Sequence, residues 1–265
     1  MSGLHKLVLQ HMLQFKTKGG HMRLKTGVFI VILTFLMALY SSGASALAAG
    51  YGQGKECDAL KRPIGAINFQ QQYADSGVYA MSDDSRRIIL TFDQGYENGY
   101  TAEILDALRE KHVTAMFFLN GDYDKKESEL VERMIREGHM IGNHGMKHLA
   151  APLLSEDSFR EEVMSLHEYV KTHYNYEMQY FRPPCGEYNE KVLDTVRSLG
   201  YRTVFWSFAY IDWKTNAQPN PKEALDKLVN AAHPGAIYLL HSVSETNAVI
   251  LGNLIDALRQ KGFTL

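Results

Sequence analysis

Four short stretches of this chain carry side chains that can do chemistry together: Thr91-Phe92-Asp93-Gln94-Gly95, His144-Gly145-Met146-Lys147-His148, Arg182-Pro183-Pro184-Cys185-Gly186 and Leu239-Leu240-His241. In order they offer a carboxylate after an apolar run, two histidines four apart, a cation before a stiff turn, and one histidine after a second apolar run. Two neutral imidazoles can hold a divalent metal, which polarises a carbonyl and makes a bound water more acidic. A nearby carboxylate can take that water's proton, and a histidine can return one to a leaving group. Hydrolysis of an acyl bond needs these parts. A spacing of four puts His144 and His148 on one face of a helical turn, although an isolated pair of this kind is more often structural. Asp93 could equally cap a turn, which Gly95 favours.

The elements that must position these groups alternate. Residues 87–92 form a short apolar run suited to a buried strand. Thr101 is placed to cap a helix over 102–111, with Ile104, Leu105 and Leu108 on one face. A strand over 114–119 and a helix over 129–137, stopped by Gly138, follow. Residues 139–141 read as a short strand leading into the histidine pair. Ser155 opens a helix to about residue 173, with Glu156 and Asp157 in its first turn. A helix over 189–199 stops at Gly200. Residues 201–208 and 235–240, rich in β-branched and aromatic side chains, predict strands. Helices over 222–232 and 246–261 complete the series. This βαβα rhythm predicts an α/β fold with parallel strands under helices, whose C-terminal strand ends gather on one face.

Order and spacing of the four motifs resemble the polysaccharide deacetylase family (the NodB-homology domain, carbohydrate esterase family 4), from about residue 87 to residue 265. The resemblance implies a distorted (β/α)7 barrel and a hydrolase that removes acetyl groups from N-acetylated sugars. It implies a divalent metal, zinc foremost, on His144, His148 and Gln94. Asp93 then matches the base and Arg182 the residue that holds it. His241 matches the acid that protonates the leaving nitrogen, and Asp212 the carboxylate that keeps it charged. The N–H of Cys185, in the turn stiffened by Pro184, falls where the family supplies an oxyanion donor. Trp213 would line the sugar groove and Leu239 the acetyl-methyl pocket. Two positions depart from the family pattern. Gln94 replaces an Asp ligand, which predicts weaker metal binding, and Gly145 replaces a Ser or Thr.

An amide at position 94 also marks a subgroup. Together with Gly95-Tyr96-Glu97-Asn98-Gly99-Tyr100-Thr101, Val204-Phe205-Trp206-Ser207 and His233-Pro234-Gly235-Ala236-Ile237-Tyr238, it resembles the sporulation peptidoglycan N-acetylmuramic acid deacetylases. That resemblance implies action on peptide-free muramic residues, leading to the muramic δ-lactam of spore cortex. Two rival readings stand beside it. One is a deacetylase of N-acetylglucosamine in peptidoglycan or chitooligosaccharides; the other is an inactive glycan-binding wall protein.

Composition agrees with an address outside the cytoplasm. The first 55 residues lack Asp and Glu. Lys6, Lys16, Lys18, Arg23 and Lys25 precede the apolar run 27–39, and small residues follow it. Residues 1–49 therefore read as a signal peptide or an N-terminal anchor, 50–86 as a polar lead-in, and 87–265 as the catalytic domain. Five of the 28 basic residues and none of the 30 acidic ones lie before residue 50, which leaves a net charge of −7 beyond it. That balance excludes the basic field of a nucleic-acid binder. The expected partner is a peptidoglycan strand met by a monomer. Cys57 and Cys185 read as two free thiols.

Overall fold

The computed structural model describes residues 48–265. The leader or anchor read over residues 1–49 lies, but for its last two residues, outside them. No helix among the described residues is long and apolar enough to cross a membrane.

The chain opens with β1 (Ala49–Gly50), α1 (Ile64–Gln72) and β2 (Val78–Tyr79). There follow β3 (Ile89–Gln94), α2 (Thr101–Glu110), β4 (Met116–Leu119), α3 (Gly121–Lys126), α4 (Ser128–Arg136), β5 (Met140–Asn143) and α5 (Glu156–Tyr174). The last part comprises β6 (Tyr180–Phe181), β7 (Glu187–Tyr188), α6 (Glu190–Ser198), β8 (Arg202–Val204), β9 (Phe208–Ala209), α7 (Pro221–Asn230), β10 (Ile237–His241) and α8 (Glu245–Gln260). Eight strands make one parallel, curled sheet in the order β2-β8-β6-β5-β4-β3-β10-β9. It is a half-barrel clothed by helices, consistent with a distorted (β/α) barrel.

Local sequence explains most of the helix starts. Ser155 accepts from Ser158 N and Asn189 from Val192 N, so both cap as their side-chain chemistry predicts. Thr101 does not cap α2. The Glu97 carboxylate accepts from the N–H groups of Gly99 and Thr101 and from the Thr101 and Tyr123 hydroxyls, and so satisfies that helix end. The sequence reading also missed α3, a helix too short to show a periodic apolar face.

The pleat sorts the core by parity. Leu90, Phe92, Phe117, Tyr238 and Leu240 point outward to the helices, where the Phe92 and Phe117 rings stack at 5.1 Å. Met116, Phe118, Val204 and Ile237 form a separate inner cluster. Asp93, Leu239 and His241 share the inner parity at the C-terminal strand ends. The register of β3 on β10 sets Asp93 directly beside His241.

The strand read over residues 201–208 is broken in two, and its halves lie in different places in the sheet. β8 pairs with β2 and β6, whereas β9 pairs with β10. Between them Phe205 N donates to Tyr79 O and Ser207 N to Ile237 O, so three residues link the two ends of the curl. The break has a cause: the buried Arg182 guanidinium takes the carbonyls of Val204 and Phe205 at 3.0 Å each.

The segment 50–86 supplies β2 to the main sheet. Tyr51 and Phe69 pack with Phe205 and Trp206 in an aromatic cluster. At its start β1 pairs with β7, and Tyr51 N donates to Gly186 O.

Close packing between β4 and β5 depends on Gly142. A Cβ there would stand 2.4 Å from the Phe118 ring. Gly142→Ala is expected to destabilise the fold by about 1–3 kcal/mol through overpacking, read as a lower urea midpoint at unchanged m-value.

Candidate active site

Each motif ends a strand of the half-barrel or follows one, and together they surround one cavity of about 610 Å3 at the C-terminal strand ends. Its walls include Asp93, His144, His148, Cys185, Trp213, Leu239 and His241. Seven of the eleven residues singled out from sequence therefore meet there. Arg182, Asp212 and Pro184 are buried behind them.

Asp93 faces the cavity with its back to a cation. Arg182 is fully buried and donates from Nη1 to Asp93 Oδ1 at 2.7 Å and to Thr91 Oγ1 at 2.9 Å. Burial, the largest single effect, would raise the Asp93 pKa; the charge and hydrogen bond of Arg182 and the neighbouring histidines together outweigh it and hold the carboxyl below its ordinary range. Asp93 is thus ionised at neutral pH.

His144 is oriented by a second contact of Arg182, this time through its backbone. The His144 Nδ1–H donates to Arg182 O at 2.8 Å, which leaves the lone pair on Nε2. Burial pushes its pKa down to about 4, so the ring is neutral at pH 7. Nε2 stands 3.6 Å from Asp93 Oδ2, and the His148 ring centre lies 4.8 Å from that of His144. Two electron-rich atoms facing each other across that distance favour a cation beside both, and the imidazole pair fits a divalent metal.

The loop carrying this pair is not the helical turn expected from its spacing. Residues 144–150 are irregular, with Gly145 at φ 83° and His148 at φ 56°. Gly145 is required there because side chains rarely adopt that conformation, and a Cβ would also approach Glu162 Oε1 to 3.1 Å. Glu162 braces the loop by accepting from Lys147 N at 2.6 Å. Sequence reasoning missed Glu162. Its signal is an acid set among the apolar positions Phe159, Val163 and Leu166 of α5, and it is buried.

Gln94 does not join the histidines. Next to Asp93 in the pleat, it has outward parity and is fully buried, and its Nε2 donates to Ser242 Oγ at 2.5 Å. Its Oε1 is buried without a partner among the described residues. No group of three or more His, Cys, Asp or Glu side chains able to hold a metal occurs among the described residues. The donor set present is the two imidazoles with Asp93 alongside.

Across the cavity His241 Nδ1 meets Asp212 Oδ1 at 2.7 Å, and His241 N donates to Asp212 Oδ2 at 2.8 Å. Asn247 Nδ2 donates to the same Oδ2, so the carboxylate is pinned at both oxygens. Burial would lower the His241 pKa; the hydrogen bond and charge of Asp212 outweigh it and raise it. The site thus holds an ionised carboxylate and a histidine biased toward its cationic form, the separation that base and acid roles require.

The remaining wall is apolar and stiff. Trp213 packs at 5.4 Å from the His241 ring, and Leu239 lies on the cavity floor. Trp206, which sequence reasoning assigned no role, also lines the cavity; its Nε1 donates to Gln53 Oε1 and its carbonyl accepts from the Tyr51 hydroxyl. Cys185 adopts φ 57° in the turn after Pro184, and both cysteines are free.

The polysaccharide deacetylase family pattern matches residues 80–204. The chain is 44% identical over 187 residues to the peptidoglycan-N-acetylmuramic acid deacetylase PdaA of Bacillus subtilis, covering 70% of this chain and 71% of that protein. It is 31% identical over 194 residues to a peptidoglycan-N-acetylglucosamine deacetylase of Bacillus cereus, covering 72% and 68%. Among solved structures it resembles Bacillus subtilis PdaA, a family 4 carbohydrate esterase, with a TM-score of 0.78 and 38% identity over 82% of this chain and 94% of that one. With a carboxylate and a histidine side by side near a histidine pair at the mouth of a curled parallel sheet, this chain belongs to the polysaccharide deacetylase family, hydrolases that act on N-acetyl amide bonds.

Proposed function

We propose that this protein is a peptidoglycan deacetylase that hydrolyses the acetamide of N-acetylmuramic residues in peptide-free glycan strands. The observation that carries the reading is the pairing across β3 and β10. An ionised carboxylate on Arg182 stands beside a histidine that Asp212 biases toward its cationic form, and both face a cavity with an apolar floor. The 44% identity to a relative named for muramic deacetylation supports the choice of sugar.

In this reading His144 and His148 hold a divalent metal, zinc being the natural choice for imidazole ligands. When bound, the metal supplies polarisation of the acetyl carbonyl and a more acidic water. Asp93 accepts the proton of the attacking water through Oδ2, because Arg182 occupies Oδ1. The Cys185 N–H, on the turn after Pro184, donates to the oxygen that becomes negative as the carbonyl carbon turns tetrahedral. His241 gives its Nε2 proton to the departing amine while Asp212 holds Nδ1. Leu239 receives the acetyl methyl, and Trp213 offers a face to the sugar. The freed 2-amine lies on the ring that bears the lactyl carboxyl, so lactam closure with loss of water proceeds at high effective molarity. We place the protein outside the cytoplasm, at the cell wall or spore cortex, acting as a monomer on glycan strands, with residues 87–265 as the catalytic domain behind the lead-in.

The deciding experiment incubates the metal-loaded protein with peptide-free peptidoglycan strands and reads the products by mass spectrometry. Loss of acetyl from muramic residues is expected, and Asp93→Asn is expected to slow it about 100- to 10,000-fold as a general base is removed. Acetyl loss confined to N-acetylglucosamine would overturn the assignment.

Two further outcomes follow from the site. His148→Ala should lower the bound zinc per chain, measured by elemental analysis after dialysis, while far-UV circular dichroism stays unchanged. Asp212→Asn removes the charge that raises the His241 pKa. An acid is lost as pH rises through its pKa, so the alkaline limb of the kcat/KM profile should move to lower pH. The same ion pair stabilises the fold below the ordinary histidine pKa, and that contribution fades as pH rises through the raised value.

A further inference from the structure

One polar group in the cavity wall has no part in the chemistry above. Asn120 ends the loop after β4 and is only 7% exposed, yet it lines the cavity. Its Oδ1 is committed, because it accepts from Tyr123 N at 2.8 Å as the cap of α3. That bond fixes the amide's orientation and turns Nδ2 the other way. Among the described residues no acceptor takes Nδ2, and it is not among the solvent-shielded unpartnered atoms. The amide N–H groups therefore face the open cavity. Gly95 keeps them uncovered: a Cβ at that position would stand 3.7 Å from Nδ2.

Tyr96 lines the same cavity and follows in the chain the Gly95 that approaches this donor. Its ring is more than half exposed at the cavity rim, on a segment held from two sides. Asn98 Nδ2 donates to Val243 O at 2.9 Å, and Glu97 collects the donors at the start of α2. An exposed aromatic on a pinned loop beside an unpartnered donor has the makeup of a recognition surface. Leu239 and Trp213, which line the same cavity, are apolar and suit the acetyl methyl and a sugar face. Tyr96 and Asn120 are where a polar, acceptor-bearing substituent finds a partner.

We infer that Asn120 is a specificity-determining residue whose Nδ2 donates to the carboxylate of the lactyl group on O3 of the muramic ring, with Tyr96 packing against that substituent. This rests on the muramic reading above and names the contact that would enforce it. A site built to donate to a carboxylate discriminates against analogues that lack it, and an N–H to an ionised acceptor is the stronger kind of hydrogen bond.

Asn120→Asp separates this role from capping. The carboxylate still accepts from Tyr123 N, but it replaces the donor by a negative charge. The test compares acetate release from peptide-free muramic strands with free lactyl carboxylates and from the same strands converted to primary carboxamides. The wild type is expected to favour the carboxylate strands. Asn120→Asp should lower the carboxylate-to-carboxamide ratio of kcat/KM at least tenfold at an unchanged melting temperature. Gly95→Ala, which partly covers Nδ2 and leaves the cap alone, should lower the ratio in the same direction. An unshifted ratio in both folded variants overturns the inference and leaves Asn120 a cap alone. A wild type inactive on either muramic strand instead overturns the proposed function, and the inference with it.

Discussion

The site depends on a single buried cation. Arg182 has no exposed surface, and its guanidinium lies 4.1 Å over the Phe118 ring. Stranding such a charge without partners costs several kcal/mol, so its surroundings are arranged to satisfy it. Asp93 and Thr91 come from β3, and the carbonyls of Val204 and Phe205 from the end of β8. Those four acceptors tie strands that are not neighbours in the sheet. The backbone carbonyl of the same residue accepts from His144 and fixes which imidazole nitrogen is bare. One residue thereby sets the charge of the carboxylate, the tautomer of a histidine and the point where a strand must break.

The opposite half of the site rests on register. A one-residue slip of β10 against β3 would turn Leu239 and His241 toward the helices and remove the apolar floor together with the acid. That slip is opposed by the outward residues Tyr238 and Leu240, which are fully buried in the helix-facing core. Core packing and catalytic geometry are thus read from alternate residues of one short strand.

Much of this was legible in the chain itself. Apolar runs placed β3, β4 and β10, and Ser155 announced α5, because strands and caps draw on local chemistry. The four motifs supplied Asp93, His144, His148, Cys185, Leu239 and His241 to the cavity. What escaped depends on partners distant in sequence. The run over 201–208 has every property of one strand, and only Arg182, some twenty residues earlier, breaks it. The histidine pair is brought together by positive φ at Gly145 and His148 and by the Glu162 brace, whereas its spacing pointed to a helix. Gln94 follows Asp93 in the chain, but the pleat sends it to Ser242 on the other side of the sheet. Asn120 caps the helix that the sequence did not show, and only the cavity beside it reveals that half of its amide is unspent.

The two tryptophans of this chain, Trp206 and Trp213, both line the cavity, one braced by Tyr51 and Gln53 and the other packed against His241. The tryptophan fluorescence of the protein therefore originates entirely at the site. With tryptophan excited selectively over tyrosine, emission wavelength and quenching report the polarity and access of that one cavity. A glycan, a metal or a proton arriving there announces itself optically, without any label.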